Sequence, residues 1–213
     1  MLLCVVWRLV LRGGELVKVE EPALLVPPGH VAVKVRAFLV DDYSLWVFKR
    51  GEGAPSRWAF GVVVANGEVG RYVVAFADNA AAQYVASKKY VYVDGADPSL
   101  LALVHTAYVV EALDKIPRFA AVEVLGDDPR RYVVERLAPV GRSRWKIALQ
   151  GAVVEGGRAV AVSRLVEVAG DALVRYVDVP TRRALRKAAE LGVRPRIPLS
   201  REVELGKWGV VEV

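Results

Sequence analysis

Two histidines, one cysteine and a loose run of arginines are the residues that could do chemistry with the least structural help. An imidazole exchanges protons near neutral pH and ligates metals, so His30 and His105 are the first candidates for both tasks. His30 follows Pro27-Pro28-Gly29, a turn in which an exposed side chain is expected. His105 falls in a run from Leu100 to Ala112 whose spacing predicts a helix, where a histidine facing a cleft assists proton transfer and one facing inward is merely packed. The single cysteine, Cys4, sits in an apolar stretch and reads as a buried, inert thiol; one cysteine permits neither an intrachain disulfide nor a cysteine-rich zinc site. The formal net charge of +6 comes entirely from residues 118–213, which hold 18 Lys/Arg against 12 Asp/Glu. Arg130, Arg131, Arg142 and Arg144 beside Trp145 could offer a nucleic acid phosphate contacts and a stacking ring. Trp145 opens an apolar strand, however, so core packing is the favoured reading, solubility accounts for the charge, and a nucleic-acid partner is not expected.

The elements that must position these residues change character along the chain. With 213 residues, 54% of them hydrophobic, there is enough apolar surface for a sizeable core. No window approaches the ~18 apolar residues of a membrane span, and no cleavage site follows the apolar start, so a soluble, cytoplasmic protein is expected. Few Cys and Met beside abundant Val, Arg and Glu resemble proteins of hot environments. Short strands separated by turns fill the first hundred residues; in one, Val31, Val33 and Val35 alternate with Lys34 and Arg36, predicting a half-buried strand in a β-rich barrel or sandwich. Asp97 or Ser99 then caps the helix carrying His105. Beyond Pro117 the order is strand Ala120 to Leu125, helix Arg130 to Leu137, strand Trp145 to Leu149, a β-α-β pattern. Strand-like runs at Ala159 to Val162 and Leu173 to Val179 precede a helix opened by Thr181 and stopped by Gly192. The expected fold class is α/β with a β-rich half, with a boundary between residues 1–113 and 114–213 and the last strands able to return to the first part.

Several strings in this order resemble the medium-chain dehydrogenase/reductase family: Pro28-Gly29-His30-Val31-Ala32-Val33-Lys34-Val35-Arg36-Ala37, Asp41-Asp42-Tyr43, Gly61-Val62-Val63-Val64, Ala82-Gln83-Tyr84-Val85, Asp97-Pro98 and Thr106-Ala107-Tyr108. The resemblance implies a GroES-like β-barrel domain followed by a Rossmann-like α/β domain, here reduced, and a homodimer. It also implies zinc ligands that the sequence lacks. Asp41 stands at the place of the family's cysteine and Ser56-Arg57-Trp58 at its Gly-His-Glu motif, and these cannot supply the converging ligands of tetrahedral zinc; no metal is expected. Asp41-Asp42-Tyr43 resembles the end of a cleft-lining segment of the zinc-free quinone oxidoreductases. There Tyr43 would give a proton to a carbonyl reduced by hydride and Asp42 would orient it; the alternative is a turn with solvated carboxylates and a packed tyrosine.

The same resemblance puts a pyrophosphate turn at Gly126-Asp127-Asp128-Pro129. Three glycines are needed there, and only Gly126 is present; Asp127 and Asp128 set negative charge where the ligand's own would lie, while suiting the start of a helix. Gln150 stands where a carboxylate usually takes the ribose, and Arg142 and Arg144 are the candidates for the extra phosphate of NADP. Residues 118–213 are also few for a full nucleotide-binding unit, so elements are expected to be missing. The expectation is a degenerate scaffold or binding protein, without catalysis or cofactor, with room for a small-molecule ligand. The alternative is a zinc-independent NAD(P)H-dependent oxidoreductase of a small carbonyl or quinone, with Tyr43, Asp42 and His105 as catalytic residues and Gly126, Gln150, Arg142 and Arg144 on NAD or NADP.

Overall fold

The computed structural model describes residues 5–22, 25–204 and 207–213; Cys4, and the expectation attached to it, lies outside them. The chain is a mixed α/β protein with a sheet-rich half. It forms two compact units, Met1–Leu101 with Ile197–Val213, and Ala102–Arg196. The predicted helix around His105 thus belongs to the second unit, and the closing strands belong to the first. Among the described residues no helix is long and apolar enough to cross a membrane.

In the first unit β1 (Val5–Arg12) and β2 (Glu15–Pro22) form an antiparallel hairpin. Gly13 and Gly14 turn it with φ of 59° and 84°, a conformation that side chains disfavour. β3 (Val31–Val40) follows, then α1 (Asp42–Arg50), β4 (Glu52–Gly53), β5 (Trp58–Ala65), β6 (Tyr72–Phe76), β7 (Tyr84–Ser87) and β8 (Lys89–Val93). The alternation in β3 is realised: Val31, Val33 and Val35 are buried in a core with Val63, Val73 and Ala75, and Lys34 and Arg36 point outward.

Asp97 accepts hydrogen bonds from the backbone and side chain of Ser99, opening a 3-10 turn over Pro98–Ala102 that leads into α2 (Leu103–Leu113). Next come β9 (Glu123–Leu125), α3 (Arg130–Leu137) and β10 (Trp145–Ala148), the predicted β-α-β unit with its first strand shortened. From there no helix intervenes. β11 (Val153–Glu155), β12 (Arg158–Ala161), β13 (Glu167–Ala169) and β14 (Leu173–Tyr176) follow one another directly. β14, β12, β10 and β9 make one parallel sheet and β11 and β13 a second. Parallel neighbours normally require a helical crossover; here β11 and β13 take that place. Ala148, Ala152, Ala159 and Ala161, with Val154, form the core around them, and side chains this small leave the space for strands where helices would be expected. α4 (Arg182–Leu191) is capped by Thr181, whose Oγ1 accepts the Ala184 N–H, and ends at Gly192 with φ 64°. β15 (Leu199–Ser200) and β16 (Gly209–Glu212) complete the first unit, β16 lying antiparallel to β3.

Candidate functional site

The Asp41-Asp42-Tyr43 segment is the end of a strand and the start of a helix, not a turn. Asp41 accepts the Ser44 N–H at 3.2 Å while the Ser44 hydroxyl accepts the Asp41 N–H at 3.2 Å, a reciprocal cap on α1. Asp42 is buried in the first helical turn, where the helix dipole favours negative charge. Asp41→Ala should therefore destabilise the protein by about 1 kcal/mol, measurable as a lower denaturation midpoint; an unchanged midpoint would show the cap to be idle. Tyr43 is packed beneath Arg57, whose guanidinium lies 3.8 Å from the ring centroid. Ser56 is wholly buried and donates to the Leu39 carbonyl at 2.6 Å, and Trp58 is buried edge-on to Phe76. His30 is half-buried rather than exposed, with Nδ1 3.2 Å from the Pro28 carbonyl oxygen. No three His, Cys, Asp or Glu side chains converge among the described residues.

In the second unit the parallel strands β9, β10 and β12 end side by side at Gly126, Gln150 and Val162, the usual position for a ligand in an open parallel sheet. One buried ion pair joins all three ends. Asp128 accepts the Arg130 N–H and the Gln150 N–H, each at 2.8 Å, and its carboxylate meets the Arg130 guanidinium at 2.7 Å. Arg130 Nη1 donates to the Val162 carbonyl. Both side chains are almost fully shielded, Arg130 at 0% and Asp128 at 2% exposure. Burial by itself would raise the Asp128 pKa, but the Arg130 charge, its hydrogen bond and the two backbone N–H donors outweigh it and hold the carboxyl below its usual range. A Cβ on Gly126 would lie 2.6 Å from the Gln150 carbonyl oxygen, so the close approach this glycine permits is to the protein's own backbone.

His105 lies within the same core. It is fully buried, and desolvation together with the nearby positive charge of Arg130 pushes its pKa down to about 3, against a smaller opposing effect of Asp128. The imidazole is neutral throughout the physiological range. Arg131 is held by Asp127 at 3.2 Å and donates to the Gly126 carbonyl at 2.8 Å. Neither Arg130 nor Arg131 is thus part of an open basic surface.

Gly126 and Gln150 are brought together, since Asp127 donates its N–H to the Gln150 carbonyl at 3.3 Å. Arg142 and Arg144 are not with them. Both precede β10, whereas Gln150 follows it, a separation of about 13 Å along a four-residue strand. Arg144 instead lies over the Trp145 ring. The Asp128–Arg130 pair escaped the sequence reading; the signal available was an aspartate two residues ahead of an arginine across a proline, which reads as an ordinary helix start.

No family model matches the chain, and no curated protein matches it in sequence. Solved structures do match. The D-arabinose dehydrogenase of Sulfolobus solfataricus superposes with a TM-score of 0.70 at 12% identity, covering 98% of this chain and 99% of its own. A thermostable alcohol dehydrogenase from Pyrobaculum aerophilum gives 0.68 at 15% identity, covering 98% and 100%. A short chain alcohol dehydrogenase from E. coli CFT073, complexed with NADH, gives 0.70 at 11% identity, covering 98% and 99%. At such identities the likeness establishes architecture alone, and the architecture this chain shares is that of dehydrogenases and oxidoreductases of the medium-chain dehydrogenase/reductase type.

Proposed function

We propose that this protein is a dehydrogenase-like scaffold or binding protein that has given up dinucleotide chemistry, built from a GroES-like β domain and a reduced Rossmann-like domain and assembling as a homodimer. The observation that carries this reading is the buried Asp128–Arg130 pair. In this fold a dinucleotide presents its pyrophosphate to the turn after the first strand. Here the Gln150 N–H faces the Asp128 carboxylate, an anion supplied by the chain itself. A second anion arriving there would meet Asp127 and Asp128 with like charge. These residues do not fit a dinucleotide.

The second reading, a zinc-independent NAD(P)H-dependent oxidoreductase with Tyr43 as proton donor, is favoured by the shared architecture and by the NADH-bound structure among the matches. Titration with NADH and NADPH, followed by calorimetry and intrinsic tryptophan fluorescence, separates the two. The scaffold reading expects no saturable binding at the strand-end crevice up to about 1 mM, whereas the affinity of a working cofactor site would be micromolar. Binding of that strength in the crevice would overturn it.

A further inference from the structure

A second concavity in the same unit has a different chemistry. It has a volume of about 430 Å³ and is walled by Trp145, Val160 and Leu173 with Lys115, Lys146, Arg158 and Arg175. The register explains why Trp145, Arg158, Leu173 and Arg175 meet, while Lys146, abreast of Ala159, is on the alternate face. Trp145, Arg158 and Leu173 are abreast at the first positions of β10, β12 and β14, and Arg175, two residues beyond Leu173, is on the same face. The site thus lies toward the start of the strands, whereas the Asp128–Arg130 pair closes their far ends.

Among the described residues the two arginines of this concavity carry no acidic partner, whereas some others of the unit do. Arg130 is met by Asp128, Arg131 by Asp127 and Glu135, and Arg164 by Asp178. Lys115 is held by Glu111 at 2.9 Å. Among the described residues, Lys146, Arg158 and Arg175 enter no ion pair, and no carboxylate lines the concavity. Like charges on neighbouring strands repel and lower stability, while a concave surface of one sign concentrates potential and draws in anions. Arginine forks suit phosphate oxygens, an indole suits an aromatic ring, and the volume is in the range of small-ligand sites.

We propose that this concavity binds a nucleotide, with its phosphates on Arg158 and Arg175 and its base against Trp145. The nucleotide is either free or part of a single strand. The proposal goes beyond the scaffold reading and does not depend on it, because the two sites occupy opposite ends of the strands.

The test uses the full chain. Trp145 is the one tryptophan of the second unit, so its fluorescence, assigned by comparison with Trp145→Phe, reports on the site. ATP is expected to bind saturably, more tightly than AMP, and inorganic tripolyphosphate to compete. Arg158→Ala and Arg175→Ala should each weaken ATP about tenfold by calorimetry; Arg175→Lys should recover part of the loss. Both arginines are exposed, so the variants should keep the circular dichroism and melting behaviour of the parent. An oligothymidylate that displaces ATP and binds more than about tenfold tighter identifies a strand as the source; ATP binding without it identifies a free nucleotide. Absence of saturable ATP binding at about 1 mM, or binding unchanged in the Arg158→Ala/Arg175→Ala double variant, overturns the proposal. Tripolyphosphate binding as tight as ATP, with no effect of Trp145→Ala on ATP affinity, overturns the base contact. NADH binding that survives the double variant belongs to the crevice at the other end, so failure here and failure of the scaffold reading are read separately.

Discussion

Replacing Arg130 with methionine should cost the protein about 3–5 kcal/mol, the loss expected when one partner of a buried ion pair is removed. That is a large share of the ~5–15 kcal/mol that holds a typical domain folded. Methionine keeps much of the volume but leaves the Asp128 carboxylate shielded with only two backbone N–H donors, and it takes away the donor that the Val162 carbonyl uses. Denaturant unfolding should show a much lower midpoint with a near-normal slope. Adding Asp128→Asn should cost much less than the sum of the single changes, because the stranded charge goes with it. A loss below about 1 kcal/mol for Arg130→Met would mean that the pair does not hold the strand ends together.

Stability should also fall as the pH drops below about 6.5, well before carboxylates titrate. Unfolded, His105 takes up a proton near its ordinary value of 6.5; folded, it refuses one until about 3. Between those values the unfolded chain holds more protons, so the contribution of this residue is full above the window and declines by about 1.4 kcal/mol per pH unit within it. Asp128 acts in the same direction at lower pH: its depressed pKa gives stability present above the unfolded carboxylate value and lost as pH falls through the folded one. Unfolding free energies measured at pH 7.5, 6, 5 and 4 test this. The slope should flatten in His105→Leu, whatever that change does to stability at neutral pH. An identical slope in both proteins would assign the acid sensitivity to other groups.

Much of the fold was legible because local rules and tertiary structure agree. The alternation over Val31–Val35, the cap at Thr181, the stop at Gly192 and the glycines of the first hairpin are decided by neighbours a few residues away. A turn at Asp41–Tyr43, one of the two readings of that segment, is in the structure the start of α1, and Asp41 is itself a residue type that caps helices. The candidate site was harder. Arg130 looks like a surface residue, and only the folding against it of two strand ends, at Gln150 and Val162, 20 and 32 residues further along the chain, buries it. His105 shows the same limit: its spacing predicted a helix correctly, but which side faces inward depends on elements that pack much later in the chain. That Arg142 and Arg144 precede their strand while Gln150 follows it was readable from order alone, and it separates them.

The alanine-lined pair of sheets has a consequence for how this unit could change in length. In a unit with helical crossovers, a new parallel strand brings a whole helix with it. Here the chain returns from Trp145 to Arg158 and again to Leu173 as successive coils of similar size, each stacked on the last. Stacked coils touch mainly their neighbours, as in solenoid repeats. A coil gained or lost at the β14 edge would therefore leave the packing of the earlier coils in place.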